Sequence, residues 1–165
     1  MRIIIGLGGN VGDVQAAFDQ AVTALGEIGG LTVLGRSSLY RTVAVGPEQP
    51  PYLNAAIMVA VETSPRELLA LCHQIEAAAG RDRKNEIRWG PRTLDLDLLI
   101  SESVVCRGPI LELPHPRLIE RAFALIPAAE IAPEWTHPPE GQTLAELAKR
   151  VLAEDMGAVE LLGNW

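Results

Sequence analysis

The chain has 165 residues, of which 14 are basic and 21 acidic, so its formal net charge is −7. Hydrophobic residues make up 48% of it and charged residues 21%, a composition that can bury a core and that differs from the composition of disordered proteins. The acidic balance argues against broad binding to nucleic acid or to anionic membranes, both of which favour a basic surface. We therefore predict one globular domain over residues 1–165 that binds neither of them.

The two cysteines indicate the compartment. Cys72 and Cys106 lack the CxxC or Cys/His spacing of a zinc site or a redox pair, and free thiols suit a reducing compartment. The apolar run at residues 3–5 is followed by glycines well before it reaches the length of a signal-peptide core or a membrane span. We expect a cytoplasmic protein.

The first half of the chain alternates strand and helix patterns. Residues 3–7 form a branched apolar run that predicts a buried strand. Apolar residues at three- and four-residue spacing over 14–25 predict a helix, which Asp13 caps. Two further strands are predicted over 31–40 and 52–62, on either side of a loop rich in glycine and proline.

The remaining elements complete a recognisable order. Ser64 and Glu67 form a capping box that starts a helix ending at Gly80, and a strand follows over 94–100. The order βαββαβ is that of the ferredoxin-like fold, an α+β sandwich with a mostly antiparallel sheet. We expect residues 114–165 to form a helical extension, with one helical stretch through Ala129 and a second helix, started by a capping box at Thr143, that ends near residue 152. For roughly the last dozen residues, up to Trp165, two outcomes stay open: they pack on the sheet or they fray.

The last strand of this core carries two aspartates. Because alternate residues of a strand share a face, Asp95 and Asp97 point to one side, whereas Leu94, Leu96 and Leu98 point to the core. Two like charges held side by side need a compensating cation, and magnesium is bound by carboxylates together with substrate phosphates. The pair predicts a magnesium site, and an exposed strand face in solvent is the alternative.

A basic segment precedes the aspartates. Over 81–92 there are five basic side chains against two acidic ones, in a chain whose total charge is negative. Arginine forks bind phosphate oxygens, so the segment predicts a phosphate-binding loop that can close as a lid; a solvated basic loop is the alternative. The basic residues are Arg81, Arg83, Lys84, Arg88 and Arg92.

Other segments suggest what else binds. The glycines at 6–12 match neither nucleotide-loop motif, because Val11 stands where GxGxxG needs its third glycine and no Walker A lysine is present. Tyr52 and Asn54 share a strand face, where a ring and an amide suit a flat heterocycle; an edge tyrosine with a structural asparagine is the alternative. His115, between two prolines, is the histidine best suited to phosphate.

Four strings occur in order along nearly the whole chain. They are Tyr40-Arg41-Thr42, Tyr52-Leu53-Asn54-Ala55-Ala56, Gly90-Pro91-Arg92-Thr93-Leu94-Asp95-Leu96-Asp97, and Pro114-His115-Pro116-Arg117 with Arg121 and Phe123. Together they resemble the 6-hydroxymethyl-7,8-dihydropterin pyrophosphokinases of folate biosynthesis. The resemblance implies a ferredoxin-like enzyme that moves the β,γ-pyrophosphoryl group of ATP to the pterin's hydroxymethyl oxygen and releases AMP. It also implies two magnesium ions, and we expect a monomer.

The resemblance assigns roles to individual residues. It implies that Asp95 and Asp97 hold the metals and that Asp97, Arg92 and Arg81 are the catalytic residues. The residues that it places at ATP are Glu76, Arg81, Arg83, Trp89, Arg92, His115 and Arg121. Those that it places at the pterin are Thr42, Val45, Tyr52, Asn54, Trp89, Asp95 and Phe123.

Two positions depart from the family's usual pattern, and two other classes of function stay open. Gly9 stands where the family usually has the serine of Gly-Ser-Asn, and Val43 stands where proline is common after Arg-Thr. The first alternative is a magnesium-dependent nucleotidyltransferase, which attacks the α-phosphorus and releases pyrophosphate. The second is a non-catalytic ferredoxin-like module that binds a regulatory ligand, and such a module needs no paired carboxylates.

Overall fold

The fold is given by a computed structural model that describes residues 1–44, 46–82, 90–154 and 159–165. The strands are β1 (Arg2–Gly9), β2 (Leu31–Arg36), β3 (Leu39–Thr42), β4 (Tyr52–Val61), β5 (Asp95–Ser101), β6 (Thr136–His137), β7 (Gln142–Thr143) and β8 (Val159–Gly163). The helices are α1 (Val14–Gly26), α2 (Pro65–Ala78), α3 (Ala122–Ile131) and α4 (Leu144–Glu154), with a 3₁₀ turn at Leu118–Glu120.

One antiparallel sheet organises these elements. Its strands lie in the order β5-β1-β4-β3-β8, and β2 pairs with the same edge of β4 as β3 does. Strands β6 and β7 form a separate two-stranded sheet. The prediction of a mostly antiparallel sheet with the ferredoxin-like order of elements is confirmed.

The strand predicted over 31–40 is two strands, and Ser37 explains the break. Its backbone N–H donates to the carbonyl oxygen of Ala56 at 2.8 Å, while its Oγ accepts a hydrogen bond from the N–H of Ala56, also at 2.8 Å. A side-chain oxygen therefore takes the place of a backbone carbonyl beside β4. The regular ladder ends there, and β3 starts two residues later.

Helices cover both faces of the sheet. Helices α1 and α2 bury Phe18 and Leu68 against one face, and α3 and α4 bury Leu125 and Leu147 against the other. Because strand residues alternate between faces, β1 contributes to both apolar clusters. The segment predicted as a helical extension therefore supplies the second helical layer.

The three predicted helix starts are confirmed by their hydrogen bonds. Asp13 accepts a hydrogen bond from an N–H of the first turn of α1 at 3.0 Å. Ser64 and Glu67 form the capping box of α2, with hydrogen bonds of 2.9 and 3.3 Å between each side chain and the other residue's backbone. Thr143 and Glu146 make the equivalent pair at 2.8 and 3.2 Å at the start of α4.

The end of the chain adds a further strand to the sheet. Strand β8 pairs with β3, and the Nε1–H of Trp165 donates to the carbonyl oxygen of Ser37 at 3.0 Å. The ring of Trp165 meets that of Phe18 at 5.5 Å between centroids. The last residues therefore pack on the sheet, which is one of the two outcomes that the sequence left open. None of the described helices has the length and apolarity to span a bilayer.

Candidate active site

A cavity of about 410 Å³ opens on the face of the sheet where α3 begins. Its floor is built from β1, β4 and β5, and Gly8 lies between Asn54 and Asp95 in the strand register. A Cβ atom at Gly8 would stand 3.6 Å from the Asn54 Oδ1 and 3.8 Å from the Asp95 Cβ. Glycine at this position therefore leaves room on the floor for a bound molecule.

Most of the residues predicted to form a site lie around this one cavity. Val45, Arg83 and Trp89 fall outside the described residues, as do Lys84 and Arg88. The predicted residues that line the cavity are Thr42, Tyr52, Asn54, Arg81, Arg92, Asp95, Asp97, His115, Arg121 and Phe123.

The two aspartates lie on the cavity side of β5, as the alternation predicts. Leu96, between them, is 1% exposed and faces the opposite core. The Arg92 Nη1 lies 3.9 Å from an oxygen of Asp95, and the Arg121 Nη1 lies 3.9 Å from an oxygen of Asp97, so both contacts are longer than a hydrogen bond. Burial and the negative charge of Asp95 raise the pKa of Asp97 to about 6.

This carboxylate pair fits magnesium. Magnesium is held by one or two carboxylates and completes its coordination with water and substrate phosphates. The pKa of Asp97 is raised because burial and the charge of Asp95 both make its deprotonated form less favourable. A divalent cation between Asp95 and Asp97 would offset that negative charge.

A fully buried carboxylate, that of Glu76, forms a salt bridge with Arg81. Glu76 on α2 is 0% exposed and accepts hydrogen bonds from the Arg81 Nη1 at 2.5 Å and from the N–H of Leu96 at 2.7 Å. Arg81 also contacts Asp95. Glu76, which was expected among the residues at ATP, is not among the residues that line the cavity. Its hydrogen bonds instead fix the position of Arg81 and of β5, the strand that carries both aspartates.

His115 is held in a defined orientation. The backbone N–H of His115 donates to the carbonyl oxygen of Leu99 at 2.7 Å, and the imidazole Nδ1 accepts from the backbone N–H of Arg117 at 3.1 Å. Burial, and then the positive charges of Arg121 and Arg117, lower the pKa of His115 below its usual value. The imidazole is therefore neutral at pH 7 and carries its proton on Nε2, where it can donate a hydrogen bond.

The other end of the cavity combines rings with polar groups. The Asn54 Nδ2 donates to the Thr42 Oγ1 at 2.9 Å, and the Tyr52 hydroxyl donates to the carbonyl oxygen of Gly90 at 2.8 Å. The Arg121 Cζ lies 5.6 Å from the centroid of the Phe123 ring. An amide and a hydroxyl held in a cavity that the rings of Tyr52 and Phe123 also line can recognise the polar edge of a flat molecule.

Sequence reasoning missed several lining residues. His73 on α2 borders the cavity, and so does Val43, which is 81% exposed. The position of His73 three residues before Glu76 was the available signal, because residues at that spacing lie on the same side of a helix. Val43 was noted only as a departure from a pattern.

Fold and cavity together define a ferredoxin-like transferase in which paired carboxylates and arginines stand beside a pocket of aromatic and polar side chains. The sequence matches the family model of 7,8-dihydro-6-hydroxymethylpterin-pyrophosphokinase (HPPK) over residues 4–133. The chain therefore belongs to the HPPK family, as its motifs predicted, and it is an ATP-dependent pyrophosphokinase.

Relatives and solved structures agree with this assignment. Two relatives bear the name 2-amino-4-hydroxy-6-hydroxymethyldihydropteridine pyrophosphokinase. The protein from Synechocystis is 42% identical over 90% of this chain and 75% of its own length, and the one from Methylorubrum extorquens is 46% identical over 81% and 84%. The Plasmodium falciparum HPPK-DHPS structure with pterin and p-hydroxybenzoate matches 93% of this chain with a TM-score of 0.69 and 14% identity. Since the chain covers 43% of that structure, the likeness shows the fold of the matching part.

Proposed function

We infer that this protein transfers the pyrophosphoryl group of ATP to the hydroxymethyl group of 6-hydroxymethyl-7,8-dihydropterin, a step of folate synthesis. Membership of the HPPK family supports the reaction and makes ATP the co-substrate. The structural observation that carries the inference is one cavity lined both by Asp95 and Asp97 and by the hydrogen-bonded pair Thr42 and Asn54. An enzyme that transfers part of a polyphosphate to a flat heterocycle must hold both substrates next to each other.

We propose in-line displacement at the β-phosphorus. The hydroxymethyl oxygen forms a bond to the β-phosphorus, and the bond from that phosphorus to the oxygen bridging the α-phosphorus breaks. The electron pair of that bond leaves with AMP, and the hydroxyl group loses its proton. Asp97 is the proposed acceptor of this proton. Arg81 and Arg92 are proposed to stabilise the charge on the phosphates.

Two magnesium ions are proposed to take part, held by Asp95 and Asp97. When bound, magnesium polarises phosphoryl oxygens and offsets their charge. The Arg121 guanidinium and the Nε2–H of His115 are proposed as further donors to phosphate oxygens, because both residues line the cavity and the Arg121 Nη1 lies 3.9 Å from an oxygen of Asp97.

The pterin is proposed to lie at the end of the cavity that carries aromatic rings. Tyr52 and Phe123 would stack on the ring system, and Thr42 and Asn54 would read its polar edge. Asn54 is 4% exposed and already bonded to Thr42, so its carbonyl oxygen is held in place to accept a hydrogen bond from the pterin.

We also propose that residues 1–165 act as one domain, in a cytoplasmic monomer whose partners are small molecules. Two apolar clusters share one sheet, which supports a single folding unit. Cys72 and Cys106 are free thiols, which suits a reducing compartment. The net charge of −7 opposes broad binding to nucleic acid or to anionic membranes.

Labelled ATP tests the reaction. With Mg²⁺ and 6-hydroxymethyl-7,8-dihydropterin present, label in the γ-phosphate is expected to appear in the pterin diphosphate, and label in the α-phosphate is expected to stay in AMP. Both products should form in equal amounts and only when the pterin is added. Transfer of the α-label to the pterin would indicate a nucleotidyltransferase, labelled ADP would indicate single phosphoryl transfer, and binding without products would indicate a regulatory module; each would overturn the proposal.

A further inference from the structure

One buried side chain joins two separate segments beside the cavity. Asn10, in the turn between β1 and α1, is 6% exposed. Its Nδ2 donates to the Gln49 Oε1 at 3.0 Å and to the carbonyl oxygen of Pro50 at 2.9 Å, and its Oδ1 accepts from the N–H of Arg92 at 2.8 Å. Both hydrogens and the oxygen of the amide are therefore engaged by segments 39 to 82 residues away in the chain.

Each segment borders a different set of residues that line the cavity. Gln49 and Pro50 belong to the loop at 46–51, which leads directly into Tyr52 at the aromatic end. Arg92 also lines the cavity, and its Nη1 lies 3.9 Å from an oxygen of Asp95. The side chain of Asn10 thus connects the loop beside the proposed pterin site with the segment that carries a proposed phosphate ligand.

Backbone contacts hold Asn10 against the Arg92 segment. The N–H groups of Asn10 and Val11 both donate to the carbonyl oxygen of Arg92, at 2.8 and 3.1 Å. A Cβ atom on the preceding Gly9 would stand 2.7 Å from the carbonyl oxygen of Thr93, so the turn lies directly on this segment. Backbone contacts with Arg92 and Thr93 therefore fix the position of Asn10 independently of the hydrogen bonds that its side chain makes to the loop at 46–51.

We propose that Asn10 is a positioning residue that couples the two substrate-binding ends of the cavity. The inference rests on the proposed function, since it assigns the pterin to one end and ATP to the other. Asn10 does not line the cavity and acts through Gln49, Pro50 and Arg92. Coupling between two sites is reciprocal: the factor by which bound ATP changes the affinity for the pterin equals the factor by which bound pterin changes the affinity for ATP.

Two substitutions distinguish the contact of Asn10 with Arg92 from its contacts with the loop at 46–51. Asn10→Ala removes all three side-chain hydrogen bonds. Asn10→Asp keeps an oxygen for the N–H of Arg92 but places a second oxygen against the carbonyl of Pro50, which can only accept, and against the Gln49 Oε1, which repels it in its present orientation. The aspartate variant should therefore release the loop at 46–51 while it keeps the contact with Arg92.

Ser101→Ala is the matched control. Ser101 is also 6% exposed, and its Oγ makes three hydrogen bonds of 3.2 to 3.4 Å at the far end of β5, away from the cavity. The measurements are melting temperature, kcat, KM for each substrate, and pterin affinity with and without a non-hydrolysable ATP analogue.

In Asn10→Asp we expect kcat/KM for the pterin to fall at least about tenfold, the size of effect expected when hydrogen bonds of this kind are lost. Affinity for the ATP analogue alone should change less, because the contact with Arg92 remains. The ratio of pterin affinities with and without the analogue should move toward one in both Asn10 variants. Ser101→Ala should lower the melting temperature and leave kcat/KM and the affinity ratio unchanged.

Asn10 variants that lower only the melting temperature, as Ser101→Ala does, would overturn the inference. An affinity ratio equal to that of the wild type would do the same. Failure of the proposed function would be seen separately, as a wild-type protein that forms no pterin diphosphate; the affinity ratio tests the role of Asn10 independently of turnover.

Discussion

Replacing Asp97 with asparagine should stabilise the metal-free protein at neutral pH while it removes a proposed metal ligand. Burial and the charge of Asp95 raise the pKa of Asp97 in the folded chain to about 6, against an ordinary value of 3.8. A carboxyl group with a higher pKa in the folded state binds protons preferentially there. The free energy of unfolding therefore falls as the pH rises between these two values and stays lower above them. Asparagine does not titrate and avoids this loss.

The expected gain is modest because Asp97 is partly exposed. Its side chain is 43% accessible, so water reduces the desolvation penalty and screens much of the repulsion from Asp95. With this screening, the pKa change of Asp97 corresponds to about 1 kcal/mol at pH 7.5. For a chain of this length, that free energy raises the melting temperature by roughly 2–4 °C.

Urea unfolding of both proteins in EDTA, at pH 7.5 and at pH 4, measures the effect. Asp97→Asn should be more stable than the wild type at pH 7.5, and the difference should shrink at pH 4, where Asp97 is protonated. Asp19→Asn is the control, since Asp19 is a 53% exposed carboxylate paired with Arg36 at 2.9 Å, and it should stay within about 0.5 kcal/mol of the wild type. An asparagine variant that is equally or less stable at pH 7.5 would refute the reasoning.

Three further predictions concern single positions. Gly8→Val should raise the KM for the pterin about tenfold or more, because its side chain fills the floor beside Asn54; an unchanged KM in steady-state assays would contradict this. Gly9→Ser should cost about 1–3 kcal/mol in thermal or urea unfolding, since its Cβ would stand 2.7 Å from the carbonyl oxygen of Thr93, and a variant as stable as the wild type would contradict it. His115 should titrate below its ordinary pKa of 6.5 in an NMR experiment on imidazole nitrogens; a higher value would show that burial does not dominate.

Features that depend on neighbours in the chain could be predicted from the sequence. The capping box of Ser64 and Glu67 needs only residues three apart, and the structure contains it. The shared face of Asp95 and Asp97 follows from the alternation of a strand. Only the resemblance to a family predicted that these aspartates share one cavity with Thr42 and His115, because those residues come from separate elements.

Features that depend on distant partners were missed or left open. The break between β2 and β3 results from the pairing of Ser37 with Ala56, and serine occurs in many unbroken strands. Strand β8 forms because β3 offers it an edge. Asn10 looks like an ordinary turn residue until the loop at 46–51 and Arg92 are brought beside it. In each case the signal lies in the tertiary structure, and local propensity does not contain it.

Manganese binding tests the central claim, that Asp95 and Asp97 hold the metal ions of the reaction, most directly. Mn²⁺ would be titrated into the protein in the presence of a non-hydrolysable ATP analogue and the pterin, with free Mn²⁺ followed by electron paramagnetic resonance. We expect two tightly bound ions per wild-type chain, the loss of at least one in Asp95→Ala and in Asp97→Ala, and no change in Asp19→Ala. Two ions bound with undiminished affinity in both site variants would contradict the account.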